Sequence, residues 1–400
     1  MSFPSPDRLL LICYILFGVL SVLTLILSSV HDVALTALWI VSCGIPYRSL
    51  HSARLIQQHT WEHWELQAAR VSTRVAAVQS MNLNIPTVNI QNFTRETILP
   101  YLETTYGQDW RRRPLLLQNL WTKEELKDPR RHLTPHGLLQ EETIVDYFSN
   151  ARSLRALIPD ASGRVRDIVY NMTHRGLPHK IGSQLILDAH PEWIEEVAPT
   201  GIITTLFGDR FKSTDIVQTS IIPAMTTVPV FVAPTSVPKV KATTLNDDSY
   251  LSLSSNKQPP PHTALHCEPI GNVAVQLSGQ KRWTLVSPEY SLYLRPSLAP
   301  DGRAYFASWQ DMQALPVPHY SDVVTSAGDA LWVPTWTWHH VDYTTTTTTS
   351  SSDEEEVTNN LAIGASLFHF RPMDFWDNNP LFAFLLIPAL LREALGLQRQ

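Results

Sequence analysis

The first fifty residues hardly alternate between apolar and polar positions. Leu9 to Val30 is a run of 22 residues without a charge, rich in leucine, isoleucine and valine. As a helix, such a run would span a hydrocarbon core of about 30 Å. Signal peptides have a shorter apolar region, so the pattern predicts an uncleaved membrane anchor over residues 1–47. A buried core helix is the alternative interpretation.

The number of membrane spans is left open by the pattern. A second apolar run, Val33 to Ile45, is short for a full span. Two spans would put the three flanking arginines on the cytosolic side, in line with the positive-inside tendency. One span would put the remainder in a lumen, which the N-x-S/T sequons at Asn92 and Asn171 permit. We expect a membrane protein of the endomembrane system. The sequence does not decide on which side of the membrane the remainder of the chain lies.

After the anchor, the pattern changes to mixed helical and strand periodicity. Residues 48–80 lack proline and glycine and predict a linker helix, and residues 81–372 form the main domain. Within that domain we expect helices over Thr94 to Tyr106, Glu141 to Asn150 and Pro191 to Glu196, and strands over Arg113 to Leu117, Ser220 to Ile222 and Val228 to Ala233.

Two polar stretches interrupt the main domain, and an apolar segment ends the chain. The stretches 234–261 and 344–357 are predicted to be insertions, the second of them threonine-rich and acidic. Residues 373–400 are predicted to be helical. Leu381 to Leu397 could pack on the domain, form a dimer helix or lie at the membrane.

Composition narrows the class of partner. Net charge is −6, which argues against a general nucleic-acid surface. Only one of the three cysteines, Cys267, follows the anchor region, so the main domain has no disulfide framework.

A metal-ligand pattern lies on an apolar strand after the first insertion. His266 and Glu268 are two residues apart, so an extended strand turns both to one face and Cys267 to the other. A second histidine can come from Gly328 to Val341. Counting in twos from its apolar positions favours His339 over His340, although Pro334 could shift the register.

The alternation of side chains between the two faces of a strand also predicts the direction of a lysine. Lys281 shares its strand face with Trp283 and Leu285 and is therefore expected to point inward. A buried ammonium without a partner is costly, and an anionic ligand would offset that cost. Thr263 could donate a hydroxyl hydrogen bond to the same anion.

These residues resemble the Jumonji-C (JmjC) branch of the cupin superfamily, Fe(II)- and 2-oxoglutarate-dependent oxygenases. The nearest subtype is similar to the asparaginyl hydroxylase that inhibits hypoxia-inducible factor. The resemblance implies a mainly β fold with flanking helices, a double-stranded β-helix or cupin/jelly-roll barrel. It also implies that His266, Glu268 and His339 bind iron, that Thr263 and Lys281 hold 2-oxoglutarate, and that Asn272 lines the pocket. Two positions depart from the common pattern: the acid is Glu, and Ser366 stands where asparagine is common.

By resemblance, the expected activity is hydroxylation of a protein side chain, with no catalytic residue assigned beyond the metal ligands. The expected partners are a protein substrate and the membrane, with a homodimer as an option and no nucleic acid. A non-catalytic tethered cupin scaffold, a histone-type lysine demethylase and an oxygenase for small molecules or lipids are the alternatives.

Overall fold

The computed structural model describes residues 81–149, 159, 161–207, 227–235, 262–298, 304–308, 312, 315–344 and 361–394. The expected anchor and linker helix, 1–47 and 48–80, lie outside these residues, as do most of both insertions and the strand expected at Ser220 to Ile222. Within the described ranges, no helix is both long enough and apolar enough to cross a membrane.

The described ranges contain fifteen strands in two sheets. The strands are β1 Thr87–Asn89, β2 Leu115–Gln118, β3 Ile144–Phe148, β4 Ala161–Arg164, β5 Lys180–Ser183, β6 Val230–Pro234, β7 His262–Cys267, β8 Gly271–Ser278, β9 Gln280–Val286, β10 Pro296–Leu298, β11 Phe306–Ser308, β12 Tyr320–Ser326, β13 Ala330–Val333, β14 Trp338–Thr344 and β15 Leu361–His369.

The larger sheet has nine strands in the order β1-β2-β13-β8-β15-β6-β5-β3-β4, and the smaller has six in the order β10-β11-β7-β14-β9-β12. Strands distant in sequence therefore lie side by side, and β14 pairs antiparallel with both β7 and β9. The predicted mainly β fold with flanking helices is confirmed.

Helices occupy the ends and outer faces of this arrangement. They are α1 Arg95–Tyr106, α2 Lys123–Leu126, α3 Pro135–Leu138, α4 Val165–His174, α5 Leu185–Ala189, α6 Ile194–Val197, α7 Thr200–Phe207, α8 Pro372–Asn378 and α9 Pro380–Ala394, with 3-10 helices at Ile90–Asn92, Trp110–Arg112, Pro191–Trp193 and Pro288–Leu294. The helices expected at Thr94 to Tyr106 and Pro191 to Glu196 are confirmed, as are the strands expected near Arg113 to Leu117 and Val228 to Ala233.

One predicted helix is wrong. Within the stretch expected to be helical from Glu141 to Asn150, Ile144–Phe148 forms strand β3 instead, paired with β4 and β5. Its centre, I-V-D-Y-F, consists largely of β-branched and aromatic residues, which fit a half-buried pleated surface better than a helix. Pairing with other strands decided the secondary structure of this stretch. The same pairing joins β3 to β5 within the larger sheet.

Three apolar clusters follow from the alternation of side chains along the strands. The interior between the sheets is filled from both sides, for example by Leu331 and Val333 of the larger sheet and by Trp283 and Leu285 of the smaller. The outer face of the larger sheet packs against the helices between residues 95 and 207. The outer face of the smaller sheet, including Cys267, packs against α8 and α9.

The C-terminal segment packs on the domain, one of its three predicted placements. Phe382, Ala383 and Leu386 of α9 are buried against the smaller sheet, and the Phe382 ring stacks on Phe306 with centroids 4.0 Å apart. Phe384, on the opposite side of α9, is exposed. This packing buries apolar surface on α9 and on the outer face of the smaller sheet, and the burial stabilises the domain.

We expect Gly328→Ala to lower the free energy of unfolding by about 2–4 kcal/mol. Gly328 has φ +98°, and a β-carbon there would lie 2.5 Å from the Trp121 carbonyl oxygen. Gly107→Ala is the matched control, because Gly107 has φ +82° and a β-carbon there would meet no other atom within 4 Å. The control should lose less stability, about 1–3 kcal/mol, because its strain comes from the backbone conformation (φ 82°, ψ 172°) alone. Equal losses in urea unfolding would contradict the steric argument.

Candidate functional site

An antiparallel ladder brings the two candidate histidines together. His266 of β7 and His339 of β14 are direct Cα partners, and both side chains are buried in the interior. Their ring centroids are 4.2 Å apart at an interplanar angle of 54°. His340 faces the other side of the sheet, where its Nε2 lies 3.2 Å from the Asp342 carboxylate. Of the two adjacent histidines, the structure therefore places His339 beside His266.

The backbone orients both imidazoles in the same way. His266 Nδ1 lies 2.7 Å from the Ala264 carbonyl oxygen, and His339 Nδ1 lies 3.1 Å from that of Thr337. A carbonyl only accepts, so each Nδ1 carries the proton and donates it. Nε2 is then the nitrogen with a lone pair, and such an outer hydrogen bond is typical of metal-binding histidines.

Burial keeps both rings neutral. It lowers the pKa of His339 to about 4, and burial together with the neighbouring His339 lowers the pKa of His266 well below its usual value. The neutral imidazole is the form that binds a metal. The pair therefore has the protonation state and tautomer of two metal ligands at neutral pH.

The candidate acid, Glu268, lines the same cavity as this pair. Glu268 follows the last residue of β7, and its backbone carbonyl accepts a hydrogen bond of 2.9 Å from the Trp336 N–H. Trp336 has φ 66° in the tight turn before β14, a costly conformation for a large residue, and its indole N–H also donates to the Phe375 carbonyl. This turn ties the Glu268 backbone to the start of the strand that carries His339.

All six candidate residues line one cavity of about 320 Å³, namely Thr263, His266, Glu268, Asn272, Lys281 and His339. Among the residues that the structure describes, however, no three histidine, cysteine, aspartate or glutamate side chains are positioned together to hold a metal ion. The two histidines have the neutral charge and the free Nε2 lone pair that binding a metal requires. The carboxylate shares their cavity without completing a set of three.

Lys281 is a buried cation at another part of the cavity. Its side chain is 4% exposed, and its Nζ lies 5.5 to 6.0 Å from the ring centroids of Phe231, Trp283 and Tyr343. Burial lowers the pKa of Lys281 to about 7. An anion in the cavity would restore its full charge.

Two further polar groups face the cavity. The Thr263 hydroxyl accepts a hydrogen bond of 3.0 Å from the Val341 N–H, which leaves its own proton available to donate. The Asn272 side-chain carbonyl oxygen is buried without a hydrogen-bond partner in the described structure. A buried acceptor in this state is costly, so a bound ligand or water with a donor group would stabilise it.

Sequence reasoning missed two residues of the site. Gly364 of β15 makes room for the lysine, because a β-carbon there would lie 2.8 Å from Lys281 Nζ. Lys180, the first residue of β5, is 2% exposed and lines the same cavity, and its charge contributes to the lowered pKa of His266. No motif surrounds either residue, and only the strand pairing shows that they face inward.

We expect Lys281→Met to remove a pH dependence of stability. The unfolded lysine has an ordinary pKa near 10.5, and the folded one has a pKa of about 7. Between these values the unfolded chain binds more protons, so stability should rise with pH by about 1 kcal/mol per pH unit. Urea unfolding from pH 7.5 to 9 measures this slope.

The exposed Lys127→Met is the control for this slope and should keep it. A slope that persists in Lys281→Met would show that another group causes it.

Comparison with known proteins supports the type of domain. Residues 235–363 match the family model of the Cupin-like domain, and this segment contains all six candidate residues. A search of curated proteins found no match. The match covers about a third of the chain, and the two sheets and the cavity are consistent with a cupin-like domain in this segment.

Proposed function

We propose that this protein is an Fe(II)- and 2-oxoglutarate-dependent oxygenase that hydroxylates a protein side chain. The observation that carries the proposal is the buried pair His266 and His339, neutral and oriented by the backbone, in one cavity with a buried lysine. Two histidines and one carboxylate with open positions are the typical ligand set of such iron sites.

In this proposal His266, His339 and Glu268 hold the iron. The adjacent, neutral imidazoles support their part of this set, and Glu268, which lines the same cavity, would complete it after its side chain turns toward them. When bound, iron and 2-oxoglutarate supply the activation of dioxygen that converts a C–H bond to C–OH, with release of succinate and carbon dioxide. The protein contributes placement of the reactants and exclusion of water.

Lys281 and Thr263 hold the far carboxylate of 2-oxoglutarate in this arrangement. Lys281 is the Cα partner of Tyr343, four residues along β14 from His339. At about 3.3 Å per residue the two positions are roughly 13 Å apart along the strand. Both residues line the cavity, and in the proposal 2-oxoglutarate, a five-carbon dicarboxylate, spans the space between them. Its charge would offset the cost of burying the ammonium.

The resemblance to the asparaginyl hydroxylase that inhibits hypoxia-inducible factor favours a protein substrate. The uncharged run from Leu9 to Val30 supports a membrane anchor as a further part of the proposal. A second candidate function is a non-catalytic cupin scaffold. It is favoured by the lack of a three-ligand metal group among the described residues.

We expect the purified full-length protein to bind Fe(II) and to form succinate from 2-oxoglutarate in air. His266→Ala and His339→Ala should each lower succinate formation roughly a hundredfold or more, because each removes a ligand that keeps the iron in place. Glu268→Ala should do the same. Succinate measured by NMR and bound iron measured by metal analysis provide the two readouts.

His340→Ala is the matched control. His340 is adjacent to His339, faces the opposite side of β14 and contacts Asp342. This variant should keep its iron and most of its turnover. If the wild-type protein binds no iron and forms no succinate, the scaffold function is the correct one.

We expect binding of 2-oxoglutarate, with Mn²⁺ in place of iron, to weaken above pH 7. The carboxylate binds the ammonium form of Lys281, whose pKa in the ligand-free protein is about 7. Affinity should therefore be nearly constant below pH 7 and fall roughly tenfold per pH unit above it. Titration calorimetry at pH 6.5, 7.5 and 8.5 measures the effect. A constant affinity in the wild type would contradict the role of Lys281.

A further inference from the structure

At one end of the larger sheet, the face that lines the cavity continues into solvent. Asp146 and Phe148 of β3 line the cavity, and Ile144 shares their face because side chains alternate along a strand. Ile144 is 64% exposed, and Asp146 is exposed as well. Val145, which points to the opposite face, is buried. The inner face of β3 therefore leads from the cavity to the surface of the domain.

Strand β4 widens this exposed surface. Ser162 of β4 is the Cα partner of Asp146, and its hydroxyl donates a hydrogen bond of 2.5 Å to the Asp146 carboxylate. Arg164 is the Cα partner of Ile144. Both residues of β4 are exposed and share a side of the sheet with their partners on β3. These four residues, Ile144, Asp146, Ser162 and Arg164, form the β3–β4 face.

The charges around the β3–β4 face compensate one another except at Asp146. The Glu142 carboxylate lies 3.5 Å from the Arg164 guanidinium and also contacts that of Arg166. Arg166 in turn lies 3.5 Å from the Asp167 carboxylate. These four groups carry two positive and two negative charges. Among the residues that the structure describes, the only hydrogen-bond or ion-pair partner of Asp146 is a neutral hydroxyl. A carboxylate accepts several hydrogen bonds, so Asp146 can also bind a cation.

Two apolar side chains accompany this acid at the mouth of the cavity. Ile144 is two residues from Asp146 on β3. Leu185 belongs to helix α5, which packs beside β3, and it lines the cavity although it is 43% exposed. A partner that covers these side chains removes apolar surface from water, which favours its binding.

An extended polypeptide matches the spacing of these groups. Ile144 and Asp146 lie roughly 6.6 Å apart along the strand, and alternate side chains of an extended peptide have the same spacing. An apolar residue and a basic residue separated by one position can therefore contact both at once. The net charge of −6 also favours the approach of a basic partner.

We propose that the β3–β4 face binds an extended segment of a protein substrate, with an apolar side chain on Ile144 and a basic side chain, two positions away, on Asp146. Asp146 determines the preference for the basic residue. Beyond Asp146, β3 leads the segment to Phe148 and the cavity. The inference rests on the proposed function in one respect, because it takes the substrate to be a protein.

The test compares the binding of three fluorescent ten-residue peptides to the full-length protein. Each peptide has one leucine in a glycine- and serine-rich sequence and, two positions later, a lysine, a glutamine or a glutamate. Fluorescence anisotropy should show the lysine peptide binding roughly two- to fivefold more tightly than the glutamine peptide, the range of an exposed ion pair. The glutamate peptide should bind most weakly, and high salt should reduce the differences.

Variants assign the preference to Asp146. Asp146→Asn should abolish the difference between the lysine and glutamine peptides, and Asp146→Lys should make the glutamate peptide the tightest of the three. Ile144→Ser should weaken all three peptides and keep their order. Asp167→Asn is the matched control, because Asp167 is an exposed acid of α4 outside the β3–β4 face, and it should bind the peptides as the wild type does.

Equal binding of the lysine and glutamate peptides, an unchanged order in Asp146→Lys, or no binding of any peptide would overturn the inference. A dimer that dissociates in Ile144→Ser, measured by sedimentation, would assign the face to a second copy of the chain and overturn it as well. The peptide titrations need neither iron nor turnover. A failure of the proposed function, read from iron binding and succinate formation, is therefore distinguishable from a failure of this docking surface.

Discussion

The antiparallel pairing of β7 with β14 is the constraint on which the site depends. It places His266 directly opposite His339, although the two belong to segments far apart in the chain. The backbone carbonyls of the same two strands then orient the rings, so the ladder sets position, tautomer and protonation together. A slip of one residue would turn either histidine to the outer face, where His340 contacts Asp342.

The packing on both sides of the sheets protects this ladder. Helices cover the outer face of the larger sheet, and α8 and α9 cover that of the smaller. The inner faces meet in a third apolar cluster that surrounds the cavity. His339 and Lys281 are thereby buried, which explains why they have lowered pKa values.

The same burial makes the charge of Lys281 costly, and the low dielectric around it strengthens its attraction for an anion. Lys281 is held between aromatic rings at a site where its ammonium is costly, and Gly364 supplies the space for it. A fold stabilised by apolar packing retains such a group at a loss of stability. A binding role for an anion gives that loss a physical reason.

The sequence by itself determined which residues share a face. Alternation along single strands predicted that Lys281 joins Trp283 and Leu285 inside, and that His266 and His339 are the inward histidines, because side-chain direction in a strand depends only on local geometry. Tertiary structure decided the rest. It made Ile144–Phe148 a strand where a helix was expected, it brought Gly364 to Lys281, and it placed Lys180 in the lining of the same cavity. Those outcomes depend on which strands pair across the chain, and local periodicity carries no information on such pairing.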